Sequence, residues 1–163
     1  MASRLKNLTL VAVLAALANI LSAPPFAISV GLRPEIHFTQ FPILIAAMLA
    51  GPVAGLLTGA IGGLLSSFFV LPGIPFIMGG LAILGYAAGL LAKRLRPLYA
   101  GMLGWAVQAP YLVVTDYVWF TVFAPGMSQN ALWVFIGTVL VLFTVEVLIS
   151  LVLVEIIVRY VRK

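Results

Sequence analysis

The chain is a succession of long apolar runs cut by glycine and proline turns, with its charge confined to short clusters between them. That pattern leaves few solutions. Of the 163 residues, 64% are apolar and 8% charged, whereas an ordinary soluble domain is about a quarter charged. So short a chain has no aqueous core large enough to hide that surface. Lipid must solvate much of it. A membrane span needs roughly 20 residues, so the length allows six or seven short helices, tight connections and no extramembrane domain.

The turn signals predict a single all-α domain over 1–163. Its spans cover about 8–23, 38–50, 53–70, 76–92, 98–120 and 132–158. The first follows Arg4 and Lys6, and a basic start before a short apolar run also fits a signal peptide; the topology uses it as a true span. Residues 24–37, PPFAISVGLRPEIH, form a loop because their three prolines break helices. Gly51-Pro52, the stretch 71–75, the cluster Lys93-Arg94-Leu95-Arg96-Pro97 and the loop 123–131 make the other connections.

Positive charge marks the cytoplasmic side. With six spans, Arg4, Lys6, Lys93, Arg94, Arg96, Arg159, Arg162 and Lys163 all fall on that side, and Arg33 alone falls outside. Five or seven spans spoil this sorting. Both termini are therefore expected in the cytoplasm of a multi-pass protein of the cell membrane. The net charge of +5 serves topology and anionic headgroups rather than nucleic acid.

Gly51, Gly55, Gly59 and Gly63 recur every four residues, and Gly85 and Gly89 repeat the spacing. Small residues let membrane helices approach closely, so these stripes read as helix packing, or else as a surface for a partner. Ala12 and Ala16 form a similar pair near the start of the first span. Taken alone, that pair also reads as ordinary packing.

Ionisable groups at membrane depth are costly and are functional candidates by default. Asp116 sits among Tyr111, Tyr117 and Trp119 near the outer end of span five, across a short loop from Asn130 and Trp133. An acid ringed by aromatic faces suits a cationic or heterocyclic ligand; an interfacial aromatic belt is the plainer reading. Glu146 and Gln108 lie near the middles of their spans and are expected to hydrogen-bond across the bundle; a proton-coupling or ligand role is the rival for Glu146. Glu155 precedes Arg159 by four residues, a helical ion pair. The first loop carries Arg33, Glu35 and His37, followed by Thr39 and Gln40 at the start of span two, on the same side as Asp116 and Trp133. Long loops often act as lids.

The chain has no cysteine and one histidine, which leaves no thiolate or His-rich metal site. It has no phosphate-binding loop and no Gly-x-Ser-x-Gly element. Asp116 and Glu146 stand too far apart in depth for a carboxylate dyad. No enzyme, metal or resident cofactor is expected.

The six-helix layout, the stretch Leu10–Ala18 in the first span, and the small-residue segment from Phe41 to Ser66 together resemble the substrate-binding S components of energy-coupling factor (ECF) vitamin transporters. The resemblance covers the whole chain in layout, through motifs of modest specificity. It implies a substrate-binding subunit of an ATP-driven importer for a small water-soluble vitamin or related micronutrient. Ala12 and Ala16 would contact a transmembrane coupling subunit, and two partner ATPase subunits would use the ATP. The pocket would face outward, with Asp116, Trp119, Tyr111, Trp133 and Asn130 beneath a lid bearing Arg33, Glu35 and His37. The rivals are a ligand-free assembly protein using the glycine faces, and a standalone proton-coupled carrier using Glu146.

Overall fold

Proline and glycine place the helix ends. Pro52 and Pro97 each open a helix at its first turn, where a missing N–H costs nothing. Gly51 takes φ 90° between two helices that would otherwise run together; only glycine adopts that conformation cheaply. The computed structural model describes residues 2–23, 25–29, 35–70 and 75–161.

Six α-helices follow in order: α1 Ala2–Leu21, α2 Gln40–Ala50, α3 Pro52–Gly62, α4 Ile77–Leu91, α5 Pro97–Val118 and α6 Gln129–Val161. The number and order agree with the sequence reading. A small hairpin, β1 Ile28–Ser29 against β2 Glu35–Ile36, stands in what was expected to be irregular loop. Helical turns of π type extend α3 at Ser66–Val70 and α5 at Trp119–Phe123. Among the described residues, α6 is long and apolar enough to cross a membrane by itself; four shorter helices are apolar throughout.

The arrangement is a ring with two flanking helices. α2 packs on α4 and α6, and α5 packs on the same two, so these four close around a common interior. Leu44, Leu84, Trp105, Leu112, Val147 and Leu151 fill much of it. α3 lies outside against α4 and α2, and α1 lies against α2 and α3.

The glycine stripe joins α3 to α4. Gly55 faces the backbone of Gly85, and Gly59 faces the backbone of Leu81, so neither site has room for a methyl group. A Cβ on Gly63 would lie 2.8 Å from the Cα of Met78, and one on Gly89 would lie 2.7 Å from the Cα of Pro52. The stripe is therefore an internal seam, and the assembly-surface reading of it loses its support.

Asn19 ties α1 to the irregular end of α3. Its Nδ2 donates to Ile61 O at 2.9 Å, and its Oδ1 accepts from Leu65 N–H at 2.8 Å. Both backbone groups border the break around Gly63, where regular helical bonding lapses. Replacing Asn19 with leucine leaves both without this partner. The expected cost is about 1–3 kcal/mol, read as a lower midpoint of thermal unfolding in detergent. An unchanged midpoint would show that water replaces the side chain.

At the other pole, Glu155 Oε1 accepts from Arg159 Nη2 at 2.8 Å, as the spacing predicted. It also accepts from Arg96 at 3.3 Å, while Oε2 accepts the Leu98 N–H that opens α5. One carboxylate thus fastens the start of α5 to the end of α6.

Candidate functional site

The first loop does not stay at the rim. After the hairpin, whose second strand lies against α6, the chain turns into the ring and starts α2 there. The His37 N–H donates to Glu146 Oε1 at 2.6 Å. From Glu146 to Val161, 161 minus 146, is 15 residues, or about 22 Å of helix. α2, with 11 residues, measures about 16 Å. The helix is short because the loop before it has already descended to the middle of the bundle.

His37 is locked where it lands. It is 2% exposed, its ring tilts onto Phe143 with centroids 5.7 Å apart, and its Nδ1 pairs with Thr39 Oγ1 at 3.1 Å. The second Glu146 oxygen stands 3.9 Å from Nδ1.

Glu146 and Gln108 do not form the expected pair. The loop brings a backbone donor to Glu146, and Gln108 turns towards α4, where a Cβ on Gly80 would lie 3.3 Å from its Nε2. Several buried polar atoms are left without a hydrogen-bond partner: both side-chain polar atoms of Gln40, Oε1 of Gln108, Oε2 of Glu146 and Oγ of Ser150. Such atoms normally have partners. Gln40 and Gln108 each lie one helical turn before a residue of the ring's apolar core, Leu44 and Leu112, and Glu146 lies one turn after Phe143, which packs against the same core. The helix register thus sets the three on the faces that line the ring.

Asp116 continues this face of α5. Gln108, Leu112 and Asp116 follow at four-residue intervals and are all buried. Asp116 is 5% exposed, and among the described residues no hydrogen bond or ion pair partners its carboxylate. Above Gln108, Tyr111 donates to Phe76 O at 3.2 Å, and Trp119 meets the Phe76 ring edge-on at 6.1 Å. Tyr111 and Trp119 therefore converge on the entry to α4.

Trp133 and Asn130 are placed differently. Trp133 stacks on Tyr117 at 5.7 Å and is 51% exposed; Asn130 is exposed too. They sit at the open start of α6 rather than against Phe76. Arg33 lies outside the described residues, and Glu35 enters through its backbone, paired with Ser29. Ala12 and Ala16 both face outward from α1, whereas Ala15 and Ala18 are buried. Among the described residues, nothing packs over the Ala12–Ala16 face. Among the described residues no group of His, Cys, Asp and Glu could hold a metal ion.

Sequence reasoning grouped Gln40 with the polar first loop rather than with the ring, and misassigned Gln108 and Glu146 to each other. The available signal was the short second span directly after a polar loop, which is where a re-entrant segment would show.

The family profile described as "ECF transporter, substrate-specific component" matches residues 6–158. No curated protein matches in sequence. A solved structure described as that of "the S component of a bacterial ECF transporter" superposes with a TM-score of 0.53 at 19% identity, covering 98% of this chain and 94% of that one. At that identity the likeness concerns the fold.

Proposed function

This chain belongs to the family of ECF transporter substrate-specific components, and on that premise we propose that it captures a small water-soluble vitamin or related micronutrient in the interior of the α2–α4–α5–α6 ring, beneath the re-entrant first loop. The family makes it a substrate-binding membrane subunit that works with a coupling membrane subunit and ATPases, not an enzyme. Six spans with both termini in the cytoplasm follow from its charge pattern, so the pocket opens outward, on the side of Arg33 and away from the other basic residues. Ala12 and Ala16 offer the coupling subunit a small-residue face that none of the described residues covers.

The observation that carries the site is the set of buried, unpartnered polar atoms of Gln40, Gln108 and Glu146, with Asp116 above them on the same face of α5. An empty hydrogen-bonding capacity inside a membrane bundle is costly, and a ligand with several donors offsets it. Acceptors outnumber donors among these atoms, so the substrate presents N–H or O–H groups, as a cationic or nitrogen heterocycle does. Tyr111 and Trp119 would flank it, Trp133 and Asn130 would guard the mouth, and Glu35 and Arg33 would travel with the lid that His37 anchors.

The test is titration of the purified protein with a panel of water-soluble vitamins, followed by Asp116→Ala, Gln108→Leu and Trp133→Ala. Loss of one buried hydrogen-bonding partner should weaken binding about tenfold or more, and Trp133→Ala should cost less because the ring is half exposed. Unchanged affinity in both Asp116→Ala and Gln108→Leu would overturn the site.

A further inference from the structure

Glu155 at the pole where α5 starts and α6 ends holds two arginines on one oxygen. Its Oε1 accepts from Arg96 Nη2 at 3.3 Å and from Arg159 Nη2 and Nε at 2.8 and 3.1 Å. A single carboxylate leaves one positive charge over. Each guanidinium has five N–H donors; Arg96 gives one of them to Glu155 and Arg159 gives two. The remainder are not used by Glu155, and the two side chains are 63% and 59% exposed. Lys93 and Arg94 are exposed close by in sequence and add to the field.

The arginines head a groove of about 270 Å³ that continues along α6 past Ile156 and Val152. These two are 61% and 55% exposed, an apolar strip leading directly away from the charge. Tyr99, 58% exposed, forms the other wall. Tyrosine with one polar and one apolar edge is at home at a membrane–water boundary.

We infer that this groove seats an anionic phospholipid, with the phosphate held by Arg96 and Arg159 and an acyl chain lying along Ile156 and Val152. Planar guanidinium forks match phosphate oxygens, and Glu155 sets the two forks side by side in advance. A free phosphate would meet the arginines but make no use of the strip, and an acidic peptide would need polar contacts where Ile156 and Val152 stand. The complementarity is to a charged head with an apolar tail.

The experiment is native mass spectrometry of the full-length protein with equimolar phosphatidylglycerol and phosphatidylcholine of the same acyl chains. The wild type should retain phosphatidylglycerol preferentially, on the order of fivefold for each arginine. R96Q/R159Q should lose the preference. R96K/R159K should keep part of it, because charge survives while the fork is lost. Inorganic phosphate should not displace the lipid. Equal retention of the two lipids, an undiminished preference in R96Q/R159Q, or displacement by phosphate each overturns the assignment. Should the double variant not fold, R159Q alone is measured, and it must lower the preference.

Discussion

Replacing Glu146 with alanine should unseat the first loop and abolish high-affinity substrate binding. The His37 N–H that Glu146 accepts at 2.6 Å is buried. Leaving such a donor unpaired costs about 1–3 kcal/mol, and truncating a side chain of this size in a closed core adds a cavity cost of similar order. Much of that is paid by the loop rather than by the helices. The start of α2 would fray, and Thr39 and Gln40 would lose their places. Substrate affinity should fall about a hundredfold or more, while α-helix content by circular dichroism stays near the wild-type value. Glu146→Gln separates anchor from acid. Its amide oxygen still accepts from His37, so the loop stays seated and affinity should fall less than about tenfold. If glutamine proves as damaging as alanine, the carboxylate itself acts on substrate or proton, and the anchor reading fails. Solute uptake by this chain alone in liposomes, abolished by Glu146→Gln, would favour the standalone carrier instead.

The second large effect is expected at the α3–α4 seam. Gly85→Leu places a branched side chain against the backbone of Gly55, which cannot yield by a rotamer change. Overpacking a tight core costs about 1–3 kcal/mol where side chains can move, and more where backbones must part. α4 is also a wall of the ring, so its displacement opens the interior proposed to hold substrate. The variant should fail to purify as a monodisperse species, or unfold well below the wild type. Gly137→Ala is the matched control. Gly137 has nothing within 4 Å of a Cβ position, and alanine favours a helix over glycine by up to about 1 kcal/mol. That variant should be neutral or slightly more stable. Equal behaviour of the two would mean that the seam is looser than its geometry indicates.

The helix order was legible because its signals are local. Gly51, Pro52 and Pro97 act on their own backbone, and apolar length is counted along one segment. The glycine stripe could be read as a seam of some kind from spacing alone, though spacing does not say which helix it meets. Glu155 with Arg159 was legible for the same reason, since residues four apart on a helix are neighbours. Arg96 joins them from 59 residues away, and no periodicity announces that.

The site divides along the same line. Asp116 stood out as an acid inside an apolar run, and the structure buries it. Tyr111 and Trp119 were read as its neighbours and converge on Phe76. Trp133 and Asn130 were grouped with them on loop length, yet they stay at the open end, because α6 begins beyond the rim and carries them out with it. Ala12 and Ala16 were ambiguous in sequence; the twist of α1 buries Ala15 and Ala18 in their stead.

By itself, then, the sequence determined the solvent and the number and order of the helices, and it supplied the charge pattern on which the proposed sidedness rests. These rest on hydropathy, turn chemistry and counting, which need no knowledge of what touches what. The tertiary structure alone decided that the loop re-enters, that Glu146 belongs to His37 across 109 residues, and that Gln40 and Gln108 line the ring with polar atoms unpaired. Polar side chains in a bundle take whichever partner the packing brings within about 3 Å, and a chain read residue by residue does not contain that distance.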